Sequence, residues 1–462
     1  MEPVVSASIP RMSKRLALAL ALCATNQAAA QTGPAIPLVV VSIDGFHTSV
    51  LVDAERLGVK LPELRRLWVE GAHASAVTGV LPTVTYPSHT TLVTGVSPAR
   101  HGIVYNKPFD PMTRNRDGWY WYAEDIRVPT LWDAARGAGL VTANVDWPVT
   151  VGARIDHNIV QYWRTDVPDA PDDAKLQKAL STPGLLAEAE KAIGPYPSGY
   201  TYTVDADIRR AGFSVWMLET KKPRLLFAYL SGLDEEQHET GPASPGALAV
   251  LEKLDAQVGR LRAAAEKLGG GRAFFAVVSD HGHSRTTREL RLNEALRAEG
   301  LLLLDGRGRV TAWRAIAFGG GAAAIMLKDP NDEEARRKVV AVVDRLGKLP
   351  ESPIQRVLSA EEARAAGGFP GAAMVIALKP DVRMGGRFED PVLAPALPRG
   401  DHGFLPENAA MDASFLVVGP GIPANRDLGR IDMRDVAPTL AALLGVPLAG
   451  AEGRNRLPAT GR

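Results

Sequence analysis

Short continuous runs of β-branched and aliphatic residues recur along the chain, a pattern typical of strands that are buried on both faces. They lie at Leu38–Ile43, Leu225–Leu230, Ala273–Ser279, Ala322–Leu327, Met374–Leu378 and Ser414–Val418. Segments with apolar residues at helical spacing lie between them, at Leu61–Gly71, Ala247–Leu268, Asp332–Leu346 and Met433–Leu444. This alternation predicts an α/β fold in which helices sandwich a mostly parallel central sheet.

Two long stretches depart from this alternation. Residues 108–200 are rich in Trp, Tyr, Pro and Asp with weak periodicity, which predicts loops and short elements that cover a site. Residues from about 291 to 400 are expected to complete the sheet and to add a small inserted lobe. Within them, Gly319–Gly321 is interpreted as a bend, because it lacks the strand–loop–Lys context of a phosphate-binding loop. No polar linker divides the chain, so residues 31–462 are expected to form a single domain.

Composition excludes several classes of protein. The 462 residues are 46% hydrophobic and 23% charged, which is ordinary for a globular protein and excludes disordered and multi-span membrane chains. The formal charge of +1 gives no global field for nucleic acid or an anionic membrane, so no polynucleotide binding is expected. The single cysteine, Cys23, excludes a disulfide framework and a cysteine-ligated metal centre.

The first 30 residues have the organisation of a signal peptide. A short apolar core, Leu16–Ala24, follows three basic residues, and small residues precede Gln31. The apolar core is too short to cross a bilayer, which needs about 20 residues. The sequence therefore predicts cleavage after Ala30 and a periplasmic or secreted protein without a membrane span.

Carboxylates follow three of the predicted strands. Asp44 comes directly after the first, Asp234 a few residues after the second, and Asp280 with His281 after the third. The carboxyl ends of parallel strands meet at one edge of a sheet, so these side chains are expected to converge. One such Asp would be equally typical of a helix cap, whereas three with attached histidines indicate a metal site.

Two further histidines extend this group. His238 lies four residues after Asp234, so a helical turn would place both side chains on one face. His402 lies in a turn that glycines flank, where backbone can approach closely. Carboxylate and imidazole ligands without thiolates suit zinc, with iron or manganese as alternatives. Together the residues predict a site for two divalent ions.

Thr85 is the candidate nucleophile. Pro87 suits the first turn of a helix, so Thr85 would lie where free N–H groups and the helix dipole favour an anion. A threonine alcohol is a weak nucleophile at neutral pH, and coordination to a divalent metal would activate it. For this fragment alone, helix capping by Thr83, Thr85 and Ser88 is the alternative interpretation.

The chain resembles the alkaline phosphatase superfamily, and most closely its nucleotide pyrophosphatase/phosphodiesterase (type I phosphodiesterase) branch. The resemblance runs from about Leu38 to Leu444, with motifs in family order. These motifs are Asp44-Gly45, Pro82-Thr83-x-Thr85-x-Pro87-x-His89, Ser97-x-x-x-His101-Gly102-Ile103-x-x-Asn106, Asp234-x-x-x-His238-x-x-Gly241-Pro242, Ser279-Asp280-His281-Gly282 and Asp401-His402-Gly403. Ser88 departs from the pattern, since the family usually has Asn there.

The resemblance implies a role for each position. One zinc ion would be held by Asp44, Thr85, Asp280 and His281, and the other by Asp234, His238 and His402. Thr85 would attack a phosphate diester or pyrophosphate and form a phospho-threonine intermediate. Asn106, with the backbone N–H of Thr85, would bind a phosphoryl oxygen. The remaining motif histidines, His89, His101 and His283, are interpreted as packing or supporting residues.

The choice of substrate leaves alternatives open. Phosphatases of the same threonine type commonly hold the extra charge of a monoester with a Lys-x-Arg pair, and none lies between Asn106 and Asp205. This favours a small phosphodiester or nucleotide over a monoester, although cations from the covering stretch (Lys107, Arg114, Arg116 or Arg164) could reach the site. The aromatic residues at 119–122 could stack on a nucleobase or simply pack. A phosphonate hydrolase and a non-catalytic relative are the remaining alternatives.

Overall fold

The computed structural model describes residues 36–116, 118–164 and 170–457. The predicted signal peptide and Cys23 lie outside these residues. The strands, in chain order, are β1 (Leu38–Ile43), β2 (Ala72–His73), β3 (Ala76–Thr78), β4 (Thr142–Val145), β5 (His157–Ile159), β6 (Leu225–Leu230), β7 (Phe274–Val278), β8 (Ser284–Leu290), β9 (Leu302–Leu304), β10 (Val310–Trp313), β11 (Ala315–Gly319), β12 (Ala322–Leu327), β13 (Ile354–Ser359), β14 (Met374–Leu378), β15 (Val382–Met384), β16 (Leu393–Asp401), β17 (Phe415–Val418), β18 (Arg426–Asp427) and β19 (Arg430–Asp432).

The α-helices lie between and around these strands. In chain order they are α1 (Thr48–Val52), α2 (Ala54–Leu57), α3 (Pro62–Glu70), α4 (Thr85–Thr94), α5 (Pro98–His101), α6 (Leu131–Gly137), α7 (Pro171–Leu180), α8 (Leu185–Ile193), α9 (Val204–Thr220), α10 (Gly232–Thr240), α11 (Pro245–Leu268), α12 (Leu292–Ala298), α13 (Glu333–Gly347), α14 (Ala360–Ala365) and α15 (Val436–Leu444). Short 3₁₀ helices lie at Ala123–Asp125, Ala409–Met411 and Met433–Asp435.

The central sheet has the strand order β18-β2-β17-β7-β1-β6-β4-β5. β1 pairs in parallel with both β6 and β7, and β4 continues the parallel arrangement beyond β6. β17 is antiparallel to both of its neighbours, β7 and β2. The prediction of a mostly parallel central sheet is confirmed.

Helices cover both faces of this sheet. Alternate residues of its apolar strands point to opposite faces, so each face has apolar side chains that a layer of helices buries. In β1, Val39, Val41 and Ile43 pack into the layer that contains α3, α8, α9 and α11. Leu38 and Val40 pack instead into the layer of α4, α6 and α15. The predicted α/β sandwich is therefore the observed architecture.

The region from 291 to 400 does not complete the central sheet, so that expectation is wrong. β12 and β14 belong to a separate four-stranded antiparallel sheet of order β11-β12-β14-β13. The predicted bend at Gly319–Gly321 turns β11 directly back onto β12, so these two strands pair with each other in antiparallel orientation. A second sheet, β15-β8-β16, joins this region to the site.

The covering stretch also contributes to the sheet, which sequence analysis did not anticipate. β4 and β5 fall within residues 108–200 and form one edge of the central sheet. β5 is only three residues long, too short to show a period. Asn144 occupies a buried position in β4, where its amide donates to Thr150, Asn158 and the carbonyl of Ile159. A polar residue in so short a strand interrupts the continuous apolar run from which a buried strand is predicted.

Candidate active site

Three strand ends bring the predicted carboxylates to one edge of the central sheet. Ile43 is aligned with Leu230, and Ser42 with Val278, so β1, β6 and β7 end together. Asp44 follows β1 directly, Asp280 lies two residues after the end of β7, and Asp234 lies in the first turn of α10 after β6. The expected convergence at the carboxyl edge is what the structure shows.

One group of side chains surrounds the Nε2 atom of His281. This nitrogen lies 3.1 Å from Asp280 Oδ2 and 3.5 Å from both Asp44 Oδ1 and Thr85 Oγ1. The backbone N–H of Gly45 donates to Asp280 Oδ1 at 3.1 Å, which fixes the other oxygen of that carboxylate. All four predicted ligands of the first ion therefore meet at one point.

A second group surrounds Asp234. Its Oδ2 lies 3.5 Å from His238 Nε2, and its Oδ1 lies 3.0 Å from His283 Nε2 and 3.8 Å from His402 Nε2. The Nδ1–H of His238 donates to the carbonyl of Gly400, and that of His402 to the carbonyl of Thr83. Each of these two imidazoles therefore turns Nε2 toward Asp234.

His283 is a member of this group that sequence analysis placed among the supporting residues. One ligand atom from each of Asp234, His238, His283 and His402 lies within 4.8 Å of the others, and the same holds for Asp44, Asp234 and His281. The spacing His281-x-His283 was the available signal. It is a weak one, because only the long-range contact with Asp234 gives the second histidine its position.

The electrostatics of the site indicate that cations belong there. Burial and the neighbouring carboxylates Asp280 and Asp234 raise the pKa of Asp44 well above its usual value. Burial also raises the pKa of Asp280 to about 7. Burial alone would raise the pKa of Asp234 too, but the nearby histidines hold it well below the usual value. Without a cation, the site has to keep protons on carboxyl groups.

Unpaired atoms in the site fit divalent ions. Asp44 Oδ1, Asp234 Oδ1 and Asp280 Oδ2 are buried and have no hydrogen-bond partner in the described part of the chain. Oxygen and imidazole nitrogen donors without sulfur are the ligand set that zinc accepts. A buried oxygen that accepts no hydrogen bond destabilises the folded state unless a cation binds to it. The residues present therefore fit the expected metal ions.

Thr85 is the first residue of α4, one position further into the helix than expected. Its side chain faces the first group, and its neighbour Tyr86 donates a backbone N–H to Asn106 Oδ1 at 2.9 Å. With Oδ1 held in this way, the amide N–H₂ of Asn106 remains available toward the cavity that both residues line. Thr85 and Asn106 are therefore neighbours in the fold, although 21 positions separate them in the chain.

Further buried residues lie behind the predicted ligands. His89 is fully buried, and its Nδ1–H donates to the carbonyl of Thr85 while its Nε2 accepts from Ser42. Burial lowers the pKa of His89 to about 3, so the ring is neutral. Tyr229 donates its hydroxyl to Asp44. The sequence carries no signal for this role of Tyr229, which looks like an ordinary apolar strand residue.

A small cavity of about 100 Å³ opens onto both groups. Its walls include the aromatic side chains of Tyr86, Trp119, Tyr200 and Tyr202. Three cations of the covering stretch and its flank, Lys107, Arg116 and Arg164, instead line a neighbouring cavity of about 460 Å³ that shares Trp119. Among the described residues that line the smaller cavity there is no Lys or Arg.

Known proteins resemble this chain in sequence and in fold. The profile of the type I phosphodiesterase / nucleotide pyrophosphatase family matches residues 38–404. A pyrophosphatase/phosphodiesterase of Schizosaccharomyces pombe is 25% identical over 255 residues, which is 54% of this chain and 45% of that protein. Human ectonucleotide pyrophosphatase/phosphodiesterase family member 1 is 25% identical over 257 residues, 53% of this chain and 23% of that protein. The matched region is thus less than half of either curated relative.

Solved structures extend the similarity to the fold. Murine ectonucleotide pyrophosphatase/phosphodiesterase 5 superposes with a TM-score of 0.63 at 21% identity, covering 90% of this chain and 97% of that one. An inactive threonine-to-alanine variant of the same murine protein, in complex with AMP, superposes with a TM-score of 0.61 and the same coverage. No described helix of this chain is long and apolar enough to cross a membrane.

Proposed function

Because the chain belongs to the type I phosphodiesterase/nucleotide pyrophosphatase family, we propose that it hydrolyses phosphate diesters or pyrophosphates of small nucleotides. The observation that carries this proposal is the position of Thr85. Its hydroxyl lies at the start of α4 and 3.5 Å from His281 Nε2, beside a buried group of carboxylates. An alcohol placed there is suited to attack phosphorus in line.

Each residue of the site has a separate role in the proposed reaction. Two zinc ions, when bound, would lower the pKa of the Thr85 hydroxyl and offset the charge of the transition state. A bond forms between Thr85 Oγ1 and phosphorus while the bond from phosphorus to the leaving oxygen breaks, which gives a phospho-threonine. Asn106 donates an amide N–H to a non-bridging oxygen. Water then attacks from the opposite direction, releases the monoester and restores the hydroxyl.

The lining of the cavity favours a diester over a monoester. A monoester dianion carries one more negative charge than a diester, and the described lining offers no Lys or Arg to receive it. Lys107 lies over the ring of Trp119, 5.6 Å from its centroid, in the neighbouring cavity. The faces of Trp119, Tyr200 and Tyr202 suit a nucleobase, and the AMP complex of the murine relative supports a small nucleotide as the substrate.

The test is a comparison of two substrates on zinc-loaded protein. We expect kcat/KM for bis-p-nitrophenyl phosphate to exceed that for p-nitrophenyl phosphate by about 100-fold or more, equal to about 2.7 kcal/mol. Thr85→Ala should lose about a thousandfold or more of this activity, and Thr85→Ser should retain part of it. Metal analysis should give two zinc ions per chain. A preference for the monoester, or an active Thr85→Ala protein, would refute the proposal.

We also propose that the protein is exported, on the basis of the N-terminal residues outside the described structure. Expression of the full chain should yield a mature protein in the periplasm or medium whose first residue is Gln31. A retained N-terminal segment in the cytoplasmic fraction would contradict this assignment.

A further inference from the structure

The direction of the Asn106 amide depends on the first turn of α4. The backbone N–H groups of a first turn have no partner within their own helix, and Val84, the residue before α4, has no side chain that caps them. One of these groups, the N–H of Tyr86, donates to Asn106 Oδ1 at 2.9 Å, across 20 positions of the chain. Because a backbone N–H can only donate, the amide atom that faces it is the oxygen, and the N–H₂ group points elsewhere.

The side chain of Tyr86 anchors this turn. Its hydroxyl donates to Gln161 Oε1 at 2.6 Å, and both side chains are buried, with exposures of 1% and 3%. The ring of Tyr86 also packs against Trp119 and Trp121, whose centroids lie 5.2 and 6.1 Å away. The hydrogen bond therefore ties the start of α4 to the covering stretch, residues 108–200.

The acceptor of this hydrogen bond has a fixed position. Gln161 lies two residues after β5, at the edge of the central sheet. The intervening Val160 donates its N–H to Ser181 Oγ at 3.2 Å, and its carbonyl accepts from Gln177 Nε2 at 2.7 Å. The edge of the sheet thus holds the oxygen that the Tyr86 hydroxyl binds.

We propose that Tyr86 is a positioning residue for Asn106, and that its hydrogen bond with Gln161 sets the direction of the Asn106 amide. The inference rests on the proposed function, in which that amide donates to a phosphoryl oxygen. Thr85 has a separate contact, because its carbonyl accepts from His89 at 2.8 Å. Tyr86→Phe keeps the ring and removes the hydroxyl, so it should disturb the amide more than the nucleophile.

The test is a double-mutant cycle with bis-p-nitrophenyl phosphate on zinc-loaded protein. We expect Tyr86→Phe to lower kcat about tenfold while KM changes by less than about threefold, because the oriented donor acts on the transition state. In an Asn106→Ala background the same change should lower kcat by less than about twofold, since the donor is already absent. Equal losses in both backgrounds would overturn the inference. Tyr196→Phe is the matched control, because it removes another buried phenol, one that donates to Asp146 at 2.8 Å, and it should leave kcat within about threefold.

A change at the acceptor separates positioning from stability. Gln161→Met removes the acceptor oxygen and should lower kcat as much as Tyr86→Phe does. The double variant has neither polar group, so its melting temperature should recover toward that of the wild type, while kcat stays about tenfold low. A kcat that recovers together with the melting temperature would indicate a structural role only and would overturn the inference.

A measurement without turnover keeps the inference distinct from the proposed function. In protein that carries ¹⁵N-labelled asparagine, the side-chain N–H₂ signals of Asn106 are identified by their loss in Asn106→Ala. Tyr86→Phe should shift these signals and Tyr196→Phe should not, whereas unchanged signals in Tyr86→Phe would sink the positioning role. A wild-type protein that cleaves no diester refutes the proposed function, and the Asn106 signals then decide separately whether Tyr86 orients the amide.

Discussion

Asp207 fixes the start of α10, the helix that carries Asp234 and His238. Its Oδ2 accepts the backbone N–H of Gly232 at 2.7 Å, and its Oδ1 accepts that of Ser231 at 3.1 Å and Nη1 of Arg210 at 3.0 Å. The carboxylate is fully buried. Asp207→Asn keeps the shape of the side chain but replaces one acceptor oxygen with an N–H₂ group that faces a donor.

The expected loss of stability follows from these contacts. Removing one partner of a buried ion pair costs about 3–5 kcal/mol. We expect the lower value, about 3 kcal/mol, because Arg210 retains Asp146, whose Oδ2 lies 2.9 Å from Nε. At about 2.1 cal/mol/K per residue, the unfolding entropy of the unit Ile36–Arg462 is about 0.9 kcal/mol/K. The melting temperature should therefore fall by about 3–4 °C.

Asp207→Asn should also change the candidate metal site, in addition to lowering the stability of the protein. A displaced α10 moves two ligands of the second group, so zinc affinity should fall about 10- to 100-fold. The assay is competition with a chelator, together with thermal denaturation at a fixed zinc concentration. Asp205→Asn is the matched control, because Asp205 lies in the same first turn of α9 but is exposed. A destabilised Asp207→Asn protein with unchanged zinc affinity would refute the positioning role, and an unchanged melting temperature would refute the energetic argument.

Three further predictions concern the same site. Asn106→Ala should lower kcat by about 10²–10³ in steady-state assays, because it removes a donor to the phosphoryl oxygen; a change confined to KM would contradict this role. In chelated protein, the contribution of Asp280 to stability, measured as the difference in unfolding free energy between wild type and Asp280→Asn, should fall as pH rises from about 4 to about 7, since the folded state holds a proton on Asp280, whose pKa is raised to about 7, while the unfolded state releases it; a difference that does not change with pH would disagree. Gly45→Ala should destabilise the protein by about 2 kcal/mol more than Gly58→Ala. Both glycines have φ near +70°, but a Cβ at Gly45 would lie 2.7 Å from Gln237 Nε2 while one at Gly58 meets open space, and equal melting temperatures would refute the steric argument.

The sequence predicted what depends on local patterning. β1 and β6 are observed with the predicted bounds, because continuous apolar runs between turn residues have few alternative structures. Six of the seven predicted ligand positions follow a strand, begin a helix or lie in a glycine-flanked turn, and His238 lies one helical turn after Asp234; their assignment as ligands came from the family resemblance and stays a prediction. β12 was equally clear as a strand, yet its sheet was not predictable, because an apolar run does not specify its pairing partner.

Contacts between residues that lie far apart in the sequence could not be predicted. Asp207 precedes Ser231 by 24 positions and Tyr229 follows Asp44 by 185, and neither pair carries a motif. In the sequence, a buried polar residue of this kind looks like an exposed residue of a helix or strand, because its hydrogen-bond partner is not visible there. His283 shows the same limit, since its spacing from His281 is visible but its contact with Asp234 is not.

The two groups of predicted ligands depend on different parts of the fold. Asp44, Thr85 and Asp280 lie at the edge of the central sheet and on the helix that packs against it. His283 directly precedes β8, and His402 directly follows β16, in the separate sheet β15-β8-β16. Changes in this smaller sheet can therefore move the second group of predicted ligands, on the leaving-group side of the proposed reaction, while Thr85 keeps its position on α4.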